Sequence, residues 1–216
     1  SNAPRAMAVL TLMALLGGCS GLTSQSSVPV MYQLRAASPA RPGDAASGPG
    51  AAARYDVAVR VERAIARPGY DTDRILVLRP GLQLDWYASS RWAGPLPDVV
   101  TGLVQDTLRA SGSYLAVNDA AAPLQSDYAL RISIRRFEAD YSADSGAPTV
   151  QVAFDCTLGR RSDRGVVATF SAEASVPAAD DRMTAVIAAF DAATATALRS
   201  TETQTLAAIA ADTRTP

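Results

Sequence analysis

Residues 150–176 read VQVAFDCTLGRRSDRGVVATFSAEASV, and their alternation decides the fold. Val150, Val152, Phe154, Cys156 and Leu158 fall on one side of an extended chain. Val166, Ala168, Phe170, Ala172, Ala174 and Val176 do the same further on. Successive strand residues point to opposite faces, so a period of two with one polar side marks half-buried strands. Ser162-Asp163-Arg164-Gly165 interrupts the pattern with turn-forming residues, and the two strands fold back as a hairpin. A symmetric turn sets Cys156 opposite Phe170 on the apolar side.

Working upstream, Tyr128, Leu130, Ile132 and Ile134 make one face of another long strand. Phe137 then breaks the parity, which calls for a bulge near Arg135 or Arg136. Leu115 to Val117 is a short strand. Leu82 to Tyr87 returns from a Pro80-Gly81 turn, and Ile75 to Leu78 is apolar on both sides, as a central or covered strand must be. Tyr55 to Arg63 alternates until Arg67-Pro68-Gly69 breaks it, and Val30 to Arg35 (VMYQLR) reads as a first strand. Two segments switch to the helical period. Leu96, Val99, Val100, Leu103, Val104, Thr107 and Leu108 precede Gly112, a usual C-terminal stop. Met183, Val186, Ile187, Phe190, Thr194, Ala197 and Leu198 form the stripe of a closing helix. Asp180 or Asp181 is expected to cap it, and the Thr-rich stretch Thr201 to Thr205 weakens its continuation. The expected fold is α+β, a two-layer sandwich: a mostly antiparallel sheet with two main amphipathic helices on one face.

The chain has 216 residues and a formal net charge of −1, which gives no electrostatic reason to bind nucleic acid. All twenty basic residues are arginine, with no lysine and no histidine, so the commonest general base and metal ligand are missing. Near the start, uncharged residues 6–18 follow Arg5 and end in Leu16-Gly17-Gly18-Cys19. The run is too short to span a bilayer and has the basic flank and small residues of a secretory signal. Residues 1–18 are therefore read as a tag scar (Ser-Asn-Ala) plus signal peptide. Residues 19–29 are a tether, and residues 30–212 form one domain. The Pro, Gly, Ala and Ser of residues 36–53 cannot bury enough apolar surface to order themselves, so that stretch reads as a flexible loop. Cys156 is the second of two cysteines and is expected in the core.

Catalytic signals are few. No nucleotide-binding, nucleophile-elbow or metalloprotease spacing occurs. The expectation is no catalytic residue, no cofactor and no metal. Asp71 and Asp73 lack the later ligands of a calcium loop and read as a solvated turn. Arg160, Arg161 and Arg164 gather at a hairpin tip, either solvated or facing phosphate or lipid headgroups. Residues 86–92 (WYASSRW) concentrate both tryptophans. Tyr87, Arg91 and Trp92 are the candidate partner contacts, with Trp86 expected in the core and Trp92 either a helix-entry staple or part of the contact patch.

Two resemblances follow from these residues. Leu16-Gly17-Gly18-Cys19 resembles a bacterial lipobox, which implies that Cys19 carries acyl chains such as palmitate. Ser20 after it, rather than Asp, fits outer-membrane sorting. The lipobox, VMYQLR, Arg74-Ile75, Arg91-Trp92-Ala93 and the Pro95-Leu96-Pro97 helix start together resemble the ABC-type transport auxiliary lipoproteins, the PqiC-like group, over most of residues 28–200. That resemblance implies a non-enzymatic lipoprotein, lipid-anchored in the cell envelope, facing the periplasm from the outer membrane. It also implies Mce-type and ABC transporter subunits as partners in lipid transport, and allows a homo-oligomer. The competing readings are a periplasmic lipid-binding carrier, which needs a chain-sized apolar cavity, and an envelope hydrolase, which needs a convergent polar site.

Overall fold

A computed structural model describes residues 28–37, 54–122, 125–142 and 146–214. Cys19, the tether as far as residue 27 and residues 38–53 of the expected loop lie outside them. Among the described residues, nine strands form a single mixed sheet and two helices pack on one of its faces. The centre is the long strand β7 (Tyr128–Asp140), flanked by β8 (Thr149–Arg160) and then β9 (Val166–Pro177), all antiparallel. Cys156 lies opposite Phe170, as the alternation required.

The other flank of β7 is shared. β2 (Tyr55–Val61) pairs with its first residues, β3 (Ile65–Ala66) with its middle and β4 (Arg74–Arg79) with its end, each parallel. Beyond β2 lies β6 (Tyr114–Asp119), also parallel. Beyond β4 lies β5 (Gln83–Trp92), antiparallel, and beyond that β1 (Val30–Tyr32), parallel to β5. The antiparallel ladders carry most of the paired residues, but short parallel strands complete the sheet. Parallel pairing needs a crossover rather than a tight turn. α1 (Leu96–Ala110) fills the path from β5 to β6.

A register shift between Ile134 and Arg136 is the bulge that the parity break required. One extra residue lets Ile134 and Phe137 share the helix-facing side, and both are fully buried. The same shift turns Glu138 to the opposite face. There it is 1% exposed, accepts from the Arg136 guanidinium (2.6 Å) and the Tyr70 hydroxyl (3.0 Å), and also from the Phe137 amide (2.7 Å). A buried carboxylate without such partners would be strongly destabilising.

α1 starts without a side-chain cap, on Pro95, with Pro97 in the first turn where a missing amide costs nothing. Gly112 ends it at φ +65°, a conformation that favours glycine. α2 (Met183–Asp212) corrects two expectations. Its N-cap is Arg182, and neither Asp180 nor Asp181 caps it. Asp180 instead accepts from the Arg182 amide and guanidinium, while Asp181 accepts from Tyr141. The helix also runs through the threonines. Thr201 and Thr205 are buried and return their hydroxyls to the carbonyls four residues back (2.9 and 2.7 Å), so these two hydroxyls are not stranded. Small residues on this face (Ala189, Ala193, Ala197, Thr201) bring the helix close to β8 and β9.

The far end of α2 is clamped. Asp212 accepts from the Tyr128 hydroxyl (2.8 Å) and Arg160 Nε (3.0 Å), and ion-pairs with the other end of that guanidinium. A carboxylate at a helix C-terminus opposes the macrodipole, and these donors offset it. Ala36 and Ala37, read as the start of the loop, pack against the core, and the Ala37 amide donates to Thr107 Oγ1 (3.2 Å).

Two outcomes follow from this packing. Phe190→Ala should cost about 3–5 kcal/mol in denaturant unfolding, since the ring is fully buried. A loss under about 1 kcal/mol would overturn the packing. Arg160 and then Tyr128 hold the Asp212 carboxyl below its ordinary range. A depressed carboxylate contributes stability that is present above its unfolded value of about 3.9 and is lost as pH falls through the folded value. Asp212→Asn should therefore flatten the acid limb of the stability–pH curve below about pH 4, and an unchanged limb would sink the clamp.

Candidate functional site

The second half of β5, with the loop before β4, gathers the residues singled out in the sequence. Residues 72–74 act as a backbone latch. The Asp73 carbonyl accepts from the Trp92 amide (2.7 Å) and the Thr72 carbonyl from the Leu96 amide (2.9 Å). Arg91 Nη1 reaches both Asp73 carboxylate oxygens, at 2.8 and 2.9 Å. Asp73 is thus an ion-pair partner, and Asp71 lies 3.9 Å from Arg63. Among the described residues no group of His, Cys, Asp or Glu could hold a metal ion.

The structure overturns the expectation for Trp86 and decides between the two readings open for Trp92. Trp86 is 49% exposed rather than in the core. It pairs with Leu76 on the sheet face away from the helices, and the Arg74 guanidinium stacks 4.0 Å from its ring centroid. Trp92 is 2% exposed and meets Phe137 and Phe190 edge-on, at 5.7 and 5.1 Å between centroids. No partner reaches that ring from outside. Of the three candidate contact residues, Arg91 keeps a partly exposed side chain, Tyr87 is half-buried with its hydroxyl against Tyr141, and Trp92 anchors the element from within.

The Tyr87 hydroxyl lies 2.7 Å from that of Tyr141, which donates onward to Asp181. Burial pushes both phenols up, with the Asp181 carboxylate adding to the effect at Tyr141. Both stay protonated near neutral pH and serve as hydrogen-bond donors. Nothing in the sequence marked Tyr141, because the chain passes through β8 and β9 before it reaches Asp181.

At the opposite end of β7 the arginine hairpin is partly neutralised. Arg160 is tied to Asp163 and Asp212. Arg161 and Arg164 line an open groove of about 410 Å³ together with Glu62 and Arg131. Cys156 is buried as expected, and desolvation pushes its thiol up to about 12, which leaves it unreactive near neutral pH.

A family model described as the ABC-type transport auxiliary lipoprotein component matches residues 32–200. The crystal structure of protein XCC0632 from Xanthomonas campestris, of the family DUF330, is similar in fold. It has a TM-score of 0.75 and 28% identity, covering 86% of this chain and 99% of that one. A second crystal structure, of an uncharacterized protein, aligns with a TM-score of 0.60 at 14% identity, covering 82% and 98% of the two chains. No curated protein matches.

The contrast between the two indoles is measurable. Iodide should quench Trp86 and leave Trp92 untouched, so Trp86→Phe should abolish iodide quenching while Tm stays nearly unchanged. Quenching that survives in Trp86→Phe would show Trp92 to be exposed. Trp92→Ala should cost about 3–5 kcal/mol.

Proposed function

We propose, because this chain belongs to the ABC-type transport auxiliary lipoprotein family, that it is a non-enzymatic, periplasm-facing component of an Mce-type lipid transport system. Acyl chains on Cys19 hold it to the outer membrane. The domain docks onto transporter subunits, with Arg91 and Tyr87 at the contact. It has no nucleotide-binding motif, so its partners supply the energy. The observation that carries this reading is the family match over residues 32–200, joined to the Leu16-Gly17-Gly18-Cys19 run ahead of the domain.

The described core supports docking over lipid carriage. Fully buried Trp92, Phe137, Phe154 and Phe190 fill the space between sheet and helices, and the grooves beside the β8–β9 hairpin are open and lined with arginine. A carrier would need an enclosed apolar cavity. The outer edge of β9 pairs with no strand among the described residues, which supports assembly with a partner or a second copy.

Cys19→Ser tests the anchor. The variant should melt within a degree or two of the parent, since residue 19 precedes every described element. It should also lose its acyl mass and leave the outer-membrane fraction. A Ser variant that still sediments there and sustains transport overturns the proposal. Affinity purification from membranes should recover permease, ATPase or Mce subunits, whereas a stoichiometric lipid on the isolated chain would favour the carrier.

A further inference from the structure

Nine large apolar side chains are exposed among the described residues, and six of them lie on the β4–β5 hairpin and on the neighbouring edge segment that leads into β1. Leu82, Leu84 and Trp86 belong to the β4–β5 hairpin, and Val28, Val30 and Met31 to the start of the described chain and the adjoining β1. Scattered exposed apolar residues need no explanation, but a contiguous group does.

The hairpin tip is built to project. Leu82 is 84% exposed and holds φ +65°, a left-handed conformation that a leucine rarely adopts, next to Gly81 at φ +80°. Leu84 lies over Gly69, close enough that a Cβ there would stand 3.3 Å from it. Trp86 follows on the same face with Arg74 stacked on its ring, and Arg79 flanks the turn opposite Gln83, paired with Asp85. Leucine at the tip with Trp and Arg behind it is the order of side chains suited to the boundary between acyl chains and headgroups.

The path of the chain says what covers this edge. β1 runs parallel to β5, with Val30 beside Ser90 and Tyr32 beside Trp92. Followed backward from Val30, the described chain heads toward the Gln83 end of β5, the same end as the tip. Arg91 pairs with Arg74 and Gln83 with Arg79, so five residues of β4, about 17 Å, separate these levels. The eleven residues from Cys19 to Val30 reach roughly 35–40 Å when extended. An acylated Cys19 can therefore lie level with the tip. The arginine hairpin is at the other end of β7, roughly 40 Å away, where Tyr128 pairs with Arg160.

We infer that Leu82, Leu84 and Trp86 form a second membrane contact, seating the hairpin tip in the headgroup region of the bilayer that holds the anchor. This rests on the anchored reading above. It fixes the orientation of the domain, with the Arg161–Arg164 end turned away from that membrane.

The test uses the full chain purified from membranes and its own exposed indole. Mass spectrometry first records whether Cys19 is acylated. The protein is then mixed with vesicles of phosphatidylethanolamine and a minority of phosphatidylglycerol. Expected are a loss of iodide quenching, a blue shift of emission and quenching by brominated lipid, all absent from Trp86→Phe. Leu82→Glu with Leu84→Glu should restore iodide access while the acylated chain still floats with the vesicles. Acylated protein that floats with Trp86 fully open to iodide overturns the inference, leaves the anchor intact and gives the patch to a protein partner. A chain without acyl groups overturns the anchor, and the tip then stands or falls on whether vesicles still shield Trp86.

Discussion

The fold depends on the seating of Trp92 between Phe137 and Phe190. Phe137 in turn stacks on Phe154, with 6.5 Å between centroids, so four rings tie together β5, β7, β8 and α2. β7 and β8 are consecutive and already joined by their ladder, while β5 and α2 come from distant parts of the chain. Edge-on and offset contacts add roughly 0.5–1.5 kcal/mol each to the area that the rings bury. The cluster holds three of the chain's four phenylalanines and one of its two tryptophans. Loss of any one ring leaves the others facing a void.

The bulge in β7 makes the cluster possible. Without the extra residue, Phe137 would point to the polar face and Glu138 into the core. With it, the ring goes inward and the carboxylate goes outward beneath Tyr70, where Arg136 neutralises it. The displaced Glu138 helps hold the 67–73 loop, which latches Trp92 and the entry to α1 through Thr72 and Asp73. One backbone irregularity therefore positions both the core and the aromatic and arginine surface of β5.

The same geometry gives the molecule two unlike ends. The β4–β5 hairpin carries exposed leucines and Trp86, and the β8–β9 hairpin carries arginines, with the length of β7 between them. The proposed function sets this domain between a membrane and other proteins, and a domain whose poles differ in chemistry can take a defined orientation between them. In the proposed reading the lipid on Cys19 supplies attachment, and attachment through a tether leaves orientation open.

The sequence by itself determined the strands whose pairing is local. The alternation in residues 150–176 set the hairpin and the Cys156–Phe170 pair, and the parity break at Phe137 located the bulge. Gly112 marked the end of α1. Periodicity carries this information because it reports which face of an element is buried. The tertiary structure alone decided which tryptophan entered the core, since Trp86 and Trp92 lie on one strand and a multi-residue register shift sets the face of each. It also decided that short parallel strands β2, β3 and β4 divide the free side of β7, a choice made by crossover packing rather than by pattern. Asp180 and Asp181 looked like caps because carboxylates suit helix starts. Arg182 and Tyr141 claimed them instead, and only the folded chain brings Tyr141 within reach.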